Sequence, residues 1–570
     1  MALPLVLKQG APSLPVPTYC GATKDLVVSS LQSASDEVVL GTLKQVGLLG
    51  PSGAAALGYV ADVLKVAEIE ASSEVRCAAL AAVGEMGEPA VSEIDRVLAL
   101  FEDDDPSVVC AAISAVGAMG PAAVDSALEI VGFLQDEAPE FRAAAAGALG
   151  TMKAWMYADE LKPCLDDPDV GVVLAAVAAI GAMGEDGQQL AGDVAARLGH
   201  VSRGVRLAAV KALTRIGDAG ERHAESVAGL LADEDNLIRE ATVGYFEAAG
   251  TGAKKGAEAV AKLLSSTSGR VQAASALALG HMKMDKFAQD VAKLLGSEYK
   301  EDTSLALSAA GVEPKLPAVL RRPACAAATA LSMMGDEGAA YSSEVGALLT
   351  EDTVPEAAGP LIRALGLMGA VSCEAKICGL LEETAAPVRE AACFALGELA
   401  KVAEDADSVA ALAARLKDSN MLVRQAAAVA VGNCKTHGPK YAGELAKLFG
   451  DRACSVKAAA ARAMGSLGQV GQMYATAVAR LTFEAAADNP TRVVALEVLG
   501  DMGERGSAFA EDVAALLEDP DGPVRAAALK ALSKMGNDAV PFLPQVTKAC
   551  VDPLDSVRAA ADECTAALGG

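Results

Sequence analysis

A thirteen-residue phrase recurs along this chain about every 33 residues, and it limits the folds that the chain can adopt. One clear copy is Val75–Gly87. The copies begin at residues 38, 75, 108, 141, 172, 205, 238, 271, 323, 357, 388, 423, 456, 491, 524 and 557. Self-similarity at a fixed period is typical of stacked supersecondary units, each of which packs against its neighbours. The sequence therefore predicts a repeat array in place of a single globular core.

The phrase itself has the pattern of an amphipathic helix. Apolar residues occupy positions one, five, eight, nine and twelve, which lie together on one broad helix face. Glycine occupies position ten in eleven copies and position thirteen in twelve of the sixteen copies. Glycine at position thirteen suits a left-handed helix C-terminus, and at position ten its missing side chain lets another helix approach closely.

A second helical segment precedes each phrase, and an acidic turn that often contains proline joins the two. Phe509–Leu517, for example, is followed by Asp519, Pro520 and Asp521 and then by the phrase that begins at residue 524. Aspartate is a favoured N-cap, and proline is tolerated in the first helical turn. Two short antiparallel helices in each period form the unit of an α-solenoid.

Charged residues add a further regularity. Position two is Arg or Lys in ten copies, and in eight of these the residue six positions earlier is acidic. The eight combinations are Glu70 with Arg76, Asp136 with Arg142, Asp233 with Arg239, Glu383 with Arg389, Asp418 with Arg424, Asp451 with Lys457, Asp519 with Arg525 and Asp552 with Arg558. Arg206, which follows His200, and Arg492, which follows Ala486, lack an acidic residue at that spacing.

In period, glycine positions and charge spacing, residues 25–570 resemble the HEAT-repeat family, in particular its short HEAT-like repeats of the phycobilisome-lyase type. In such repeats an Asp in the inter-helix turn and an Arg early in the second helix form a ladder between adjacent repeats. The resemblance implies an all-α superhelix of about sixteen two-helix repeats with a 33-residue period.

The spacing of the copies suggests an organisation in four parts. Residues 1–23, which contain Pro4, Pro12, Pro15 and Pro17, are expected to form an extended or disordered tail. Repeats one to eight would occupy 24–296, and repeats nine to sixteen would occupy 323–570. Because the step from 271 to 323 is long, residues 297–322 are interpreted as an insertion and a hinge candidate.

Composition restricts the partners and the compartment. The formal net charge of −27 disfavours nucleic acid and anionic membranes and permits basic partners, although solubility alone explains it. The longest apolar stretch, Val170–Gly184, is shorter than the roughly 18–20 residues of a spanning helix, so no membrane span is predicted. The N-terminus has no secretory pattern, and the twelve cysteines are interpreted as reduced core residues. We therefore expect a soluble, cytoplasmic protein.

The sequence contains no pattern that indicates catalysis. None of its four histidines forms a His-Glu or His-x-x-x-His pair, and it has no phosphate-binding loop or nucleophile elbow. The acidic turns lack the twelve-residue calcium loop and are explained as helix caps. Neither a cofactor nor a metal is predicted, and an enzyme is neither indicated nor excluded.

The remaining candidate site is the concave face, which phrase positions three, four, seven and eleven are expected to line. This stripe is small and apolar in early copies and charged in later ones. The candidate residues are Ala78, Ala81, Ala111, Ser114, Ala144, Gly147, Ala175, Ala178, Lys211, Arg215, Glu240, His281, Glu390, Phe394, Glu398, Arg462, Glu497 and Lys530. The alanine part of the stripe either is covered by tight curvature or accepts a helical or extended protein segment.

Three functions fit these features. The first is a non-catalytic scaffold or adaptor that binds protein along the concave face. The second, implied by the resemblance to phycobilisome-lyase repeats, is a tetrapyrrole lyase or a related chaperone. The third is an acidic cargo carrier that binds basic segments, which the net charge permits.

Overall fold

The computed structural model describes residues 27–33, 35–48, 50, 58–68, 72–297, 322–350, 352–483, 487–552 and 554–569. Within these ranges the regular structure is helical and contains no β-strand, so the prediction of an all-α fold is confirmed. The chain divides into two compact units, Met1–Val260 and Ala261–Gly570. The predicted tail and residues 298–321 of the predicted insertion lie outside the described ranges.

Every copy of the phrase falls in a helix, and we call these helices the long helices. In the first unit they are Asp36–Gly47, Ser73–Glu85, Pro106–Ala118, Pro139–Thr151, Val170–Met183, Arg203–Ile216 and Asn236–Ala249. In the second unit they are Gly269–His281, Pro323–Ser332, Pro355–Leu367, Ala386–Leu399, Met421–Asn433, Cys454–Ser466, Asn489–Asp501, Gly522–Lys534 and Asp555–Gly569.

Shorter helices connect consecutive long helices. The α-helical ones are Val60–Glu68, Ile94–Leu98, Ala127–Val131, Ala158–Leu161, Ala191–Ala196, Asp218–Glu221, Ala224–Ala228, Ala257–Lys262, Ala288–Ala292, Gly335–Ala339, Ser342–Ala347, Glu374–Gly379, Ala406–Arg415, Ala442–Lys447, Gly468–Gln472, Ala475–Phe483, Glu504–Ser507, Ala510–Ala515 and Leu543–Ala549. Most of them are preceded or followed by 3₁₀ turns. These turns are Glu88–Glu93, Ala99–Glu102, Gly120–Ser126, Gly132–Gln135, Trp155–Tyr157, Pro163–Asp166, Gly184–Leu190, Arg197–Gly199, Gly229–Ala232, Gly250–Gly256, Leu263–Ser265, Asp285–Phe287, Lys293–Gly296, Val371–Cys373, Leu380–Glu382, Gly438–Tyr441, Leu448–Gly450, Leu516–Glu518, Gly536–Asp538 and Val540–Phe542.

Within each unit the long helices pack in chain order. Pro139–Thr151, for example, contacts the preceding Pro106–Ala118 and the following Val170–Met183. The short helices also pack on the long helices, as Ala191–Ala196 does on Arg203–Ile216. Contact with successive neighbours is the packing of a solenoid, in which each helix pair depends on the next for burial of its apolar face.

The helical run of residues 170–199 is long and apolar enough, by length and composition alone, to cross a membrane. Its N-terminus is capped by Asp169, whose carboxylate accepts from the backbone N–H of Gly171 at 2.7 Å. Gly184 interrupts the run with φ of +63°, so Val170–Met183 ends there and a 3₁₀ turn follows. Half of its most apolar window is buried inside the protein.

Glycine at position ten allows neighbouring long helices to touch through their backbones. A Cβ placed on Gly150 would lie 2.4 Å from the Cα of Ala179 in the next long helix. The same clash, with a Cα at 2.4–2.8 Å, would arise at Gly117, Gly150, Gly181, Gly280, Gly366, Gly397 and Gly432, each of which faces an alanine at position eight of the following copy. The predicted close approach is therefore present in both units.

Most long helices end as predicted for position thirteen. Eleven of the twelve glycines at this position have positive φ, as at Gly87 and Gly369, whereas Gly569 lies inside the last long helix. Lys153 and Lys283 occupy the same position and also have positive φ, at 53° and 52°. At both lysines, as at Gly369, the following N–H bonds the carbonyl five residues earlier, which is a Schellman motif.

The two lysines carry backbone strain that glycine would relieve. A left-handed conformation costs a side-chain-bearing residue about 1–2 kcal/mol, part of which the greater chain entropy of unfolded glycine offsets. We expect Lys153→Gly and Lys283→Gly each to raise the free energy of unfolding by about 0.5–1 kcal/mol, measured by thermal unfolding. Gly369→Lys, the matched reverse change, should lower it by a similar amount. Unchanged stability in all three variants would show that these positions are unstrained.

Candidate functional site

An inter-repeat ladder of ion pairs runs along both units beside the candidate stripe. Seven arginines at position two of a long helix reach the acidic turn before the next long helix. The pairs are Arg76–Asp103, Arg142–Asp167, Arg206–Asp233, Arg389–Asp418, Arg424–Asp451, Arg492–Asp519 and Arg525–Asp552. Arg389, for example, donates from Nε and Nη2 to the two carboxylate oxygens of Asp418, both at 2.8 Å. This bidentate geometry fixes the register between neighbouring repeats.

The ladder joins different side chains from those that the sequence spacing suggested. The residue six positions before the arginine contributes its backbone carbonyl, not its carboxylate. Arg424, for example, donates from Nη1 to the carbonyl of Asp418 at 2.8 Å. The same contact is made to the carbonyls of Asp136 by Arg142, Asp233 by Arg239, Glu383 by Arg389, Asp519 by Arg525 and Asp552 by Arg558.

The aspartate carboxylate has a second contact that explains its frequency in the turn. Asp418 Oδ1 also accepts from the backbone N–H of Asn420 at 2.9 Å, and Asp451 Oδ1 accepts from Ala453 in the same way. An aspartate that accepts from the N–H two residues later stabilises a turn. The carboxylate therefore orders its own turn and binds the arginine of the preceding repeat.

The two arginines that broke the spacing rule belong to the ladder. Arg206 pairs with Asp233 at 2.7 Å, while His200 supplies the carbonyl at 3.0 Å and its Nδ1 accepts from the N–H of Ser202. A search 25–29 residues ahead of each arginine would have found these partners. Three other predicted ladder residues differ from this pattern. Lys457 and Arg239 are buried, and Arg239 donates a hydrogen bond to Asn236 Oδ1. Glu70 lies outside the described residues.

The ladder lowers the pKa of six of its carboxylates. Hydrogen bonds from the paired arginine are the main cause at Asp103, Asp167, Asp418, Asp451 and Asp552. At Asp233 burial raises the pKa, but hydrogen bonds from Arg206 and from the N–H of Asp235 outweigh it and the net pKa is lowered. These groups therefore favour the folded state while they are ionised.

Acidification should weaken the ladder. Because the folded pKa values lie below the ordinary value of about 4, the stabilisation is complete above that pH and is lost as the pH falls through the folded values. Relief of repulsion from the net negative charge acts in the opposite direction. We expect the thermal midpoint, followed by circular dichroism, to fall steeply below about pH 4. The thermal midpoint of the Arg389→Ala/Arg424→Ala variant should fall less on acidification than that of the unmodified chain. An identical fall in both would show that the ladder is not the cause.

In the first unit the predicted apolar stripe is open to solvent. Ala81, Ser114 and Ala178 are exposed, and Ala144 and Gly147 are half-buried. Ala78, Ala111 and Ala175 are also half-buried, and further along Lys211 and Arg215 are exposed and Glu240 is half-buried. Neighbouring helices thus leave the alanine stripe accessible along this unit.

In the second unit the stripe is closed at first and then opens. Ala273, Ala274 and Leu277, at stripe positions of Gly269–His281, are buried, as are Cys325 and Ala326 in the next long helix. The predicted residue His281 is half-buried. From Pro355–Leu367 onwards the stripe is accessible again, and Arg462, Glu497 and Lys530 are exposed on it.

Three predicted stripe residues come together around one pocket, which we call the Phe394 pocket. It has a volume of about 220 Å³ and lies between the long helices Ala386–Leu399 and Met421–Asn433. Its lining residues are Glu390, Phe394, Gly397, Glu398, Leu422, Gln425, Ala426, Val429, Ala430 and Asn433. The contribution of the second helix was not predicted, although Gln425, Ala426, Val429 and Asn433 occupy the same stripe positions one copy later.

Arg363, from the preceding long helix, holds the aromatic wall of this pocket in place. Its guanidinium lies 4.8 Å from the centre of the Phe394 ring and forms an ion pair with Glu390. A guanidinium at this distance from a ring is attracted to the ring face. Glu398 pairs with exposed Lys401 at 2.6 Å, and Asn433 Nδ2 donates to the carbonyl of Gly397 at 3.2 Å.

Among the described residues, no group of three His, Cys, Asp or Glu side chains could hold a metal ion. The eleven cysteines in these ranges are free thiols, and burial raises the pKa of Cys393 to about 12. A thiol with such a pKa is protonated at neutral pH and is a poor nucleophile.

Sequence comparison identifies the repeat type. Residues 129–192, 375–465 and 477–565 match the sequence model of HEAT repeats. No curated protein sequence matches the chain.

Comparison with solved structures gives the same architecture. The karyopherin Kap121p, bound to the extreme C-terminus of the protein phosphatase Cdc14p, superposes with a TM-score of 0.61 and 10% identity over 96% of this chain and 70% of that one. Importin beta superposes with a TM-score of 0.54 and 11% identity over 96% of this chain and 89% of that one. Kap95p in its RanGDP complex superposes with a TM-score of 0.53 and 13% identity over 95% of this chain and 80% of that one. At these identities the similarity concerns the fold.

Proposed function

We propose that this chain, which is built of HEAT repeats, is a non-catalytic scaffold that binds segments of other proteins along the stripe of its long helices. The observation that carries the proposal is the solvent access of the stripe from Ala81 to Ala178 in the first unit and around Phe394 in the second. Contiguous accessible apolar surface is typical of interaction sites. Parallel helices also present shallow grooves that suit a helical or extended segment.

The structural relatives support a protein partner. Kap121p was solved bound to Nup53p, to Pho4p and to the SUMO protease Ulp1p as well as to Cdc14p. We extend only the general role, protein binding by a HEAT solenoid, to this chain. We place the binding stripe on the concave face, as the sequence positions predict. The resemblance to phycobilisome-lyase repeats stays a prediction, and a visible chromophore that copurifies with the chain would support it.

The stripe is tested by blocking it with charge. We expect the double variant Ala144→Arg/Ala178→Arg to lose the proteins that copurify with the tagged full-length chain from native extract, identified by mass spectrometry. Arginine at these positions fills the apolar stripe, and burying its charge against an apolar partner surface costs free energy. The helical circular dichroism signal should stay unchanged, because Ala178 is exposed and Ala144 is only half-buried.

The control is Leu128→Arg, which adds a single positive charge at an exposed residue of the short helix Ala127–Val131. This variant should retain the copurified proteins. Retention of the same proteins by Ala144→Arg/Ala178→Arg would remove this part of the stripe as a binding site.

A further inference from the structure

The Phe394 pocket has the size of a subsite for one side chain. Its volume of about 220 Å³ is below the roughly 300–1,000 Å³ of pockets that enclose small molecules. The floor and walls are apolar where Phe394, Leu422 and Val429 meet, and the exposed fractions of Leu422 and Val429 are 53% and 46%. A single aliphatic side chain of a bound segment would cover this surface.

The two carboxylates that line the pocket have different cationic partners. The lining includes two carboxylates, Glu390 and Glu398, and no Lys or Arg. Arg363 neutralises Glu390 through their ion pair. The partner of Glu398 is Lys401, three residues later on the surface, and the Lys401 side chain is 52% exposed. An exposed pair of this kind is worth little in water, so a cation from a partner can replace Lys401.

We propose that the Phe394 pocket binds a protein segment in which an aliphatic residue is flanked by lysine or arginine. The aliphatic side chain enters between Phe394 and Val429, and the neighbouring cation pairs with Glu398. The net charge of −27 favours approach of such a basic segment. This inference rests on the proposed scaffold function and specifies the partner chemistry of one part of the stripe.

The pocket is tested with a random twelve-residue peptide library displayed on phage and selected against the full-length chain. We expect the enriched peptides to contain Leu, Ile or Met next to Lys or Arg. Their affinity, measured by fluorescence anisotropy of labelled synthetic copies, should fall at least tenfold for Phe394→Ala and for Glu398→Lys. It should also fall with added salt.

The control variant is Asp407→Lys, which makes the same change of charge on the short helix Ala406–Arg415, where Asp407 is exposed. Peptide affinity for this variant should stay within about twofold, because the pocket is intact. Enrichment of acidic peptides, or equal losses in Asp407→Lys and Glu398→Lys, would overturn the pocket assignment. Peptides whose affinity is unchanged by Phe394→Ala and Glu398→Lys but is abolished by Ala144→Arg/Ala178→Arg would reject the pocket. Such peptides would still support the scaffold function. Failure to enrich any peptide would reject the pocket, and the copurification test decides the scaffold separately.

Discussion

Replacing Gly150 by alanine is expected to lower the free energy of unfolding by about 1–3 kcal/mol. The added Cβ would lie 2.4 Å from the Cα and 2.6 Å from the Cβ of Ala179. Because the Cα belongs to the backbone of the next long helix, no rotamer change can relieve the clash, and the two helices must separate. That separation uncovers buried apolar surface along Pro139–Thr151 and Val170–Met183.

A matched control lies three residues earlier in the same helix. A Cβ on Gly147 would have no atom within 4 Å, so Gly147→Ala keeps the packing and gains helix propensity. We expect Gly147→Ala to raise the free energy of unfolding by about 0.5–1 kcal/mol. Opposite signs for the two substitutions, measured by thermal and urea unfolding, would establish the close contact. A stabilising Gly150→Ala would show that the helices are further apart than described.

The second large effect is expected at Arg525. Arg525→Ala removes two hydrogen bonds to the carboxylate of Asp552, both at 2.9 Å, and one to the carbonyl of Asp519 at 2.8 Å. Hydrogen bonds to charged groups contribute about 1.5–3 kcal/mol each, and solvent reaches part of this pair. We expect a net loss of about 2–3 kcal/mol, seen as a lower thermal midpoint.

Arg480→Ala is the control, because Arg480 is an exposed arginine on the short helix Ala475–Phe483. A substitution at such a site usually changes stability by less than about 0.5 kcal/mol. Equal small effects at Arg480 and Arg525 would mean that the ladder contributes nothing to stability.

The fold could be predicted from the sequence because its determinants recur. Gly150 leaves room for the backbone of the next long helix, and Gly184 adopts the left-handed conformation that ends its helix. Glycines recur at these two positions in most copies, so the sequence shows the pattern many times. Lys153 could not be placed in a left-handed conformation from its residue type, because lysine rarely adopts it. The burial of Ala273 and Ala274 was also unpredictable, since their sequence resembles that of copies whose stripe is open.

The ladder and the pocket show where reasoning within one repeat fails. Arg424 was associated with Asp418, the acidic residue closest in sequence, whereas the structure gives it the carboxylate of Asp451 in the next repeat. Phe394 was identified as a stripe residue, but Val429 was missed because it lies on the following helix. In a repeat array the contacts that form sites connect positions about one period apart, so adjacent copies must be read together.

Two double-mutant cycles test directly whether neighbouring repeats are coupled in this way. One combines Arg424→Ala with Asp451→Asn, and the other combines it with Asp418→Asn. Asparagine keeps an oxygen for the turn N–H, so each cycle isolates the charge interaction. The structure predicts a coupling free energy above about 1 kcal/mol for Arg424 with Asp451 and below about 0.5 kcal/mol for Arg424 with Asp418. The reverse order would contradict coupling between repeats and restore the pairing within one repeat.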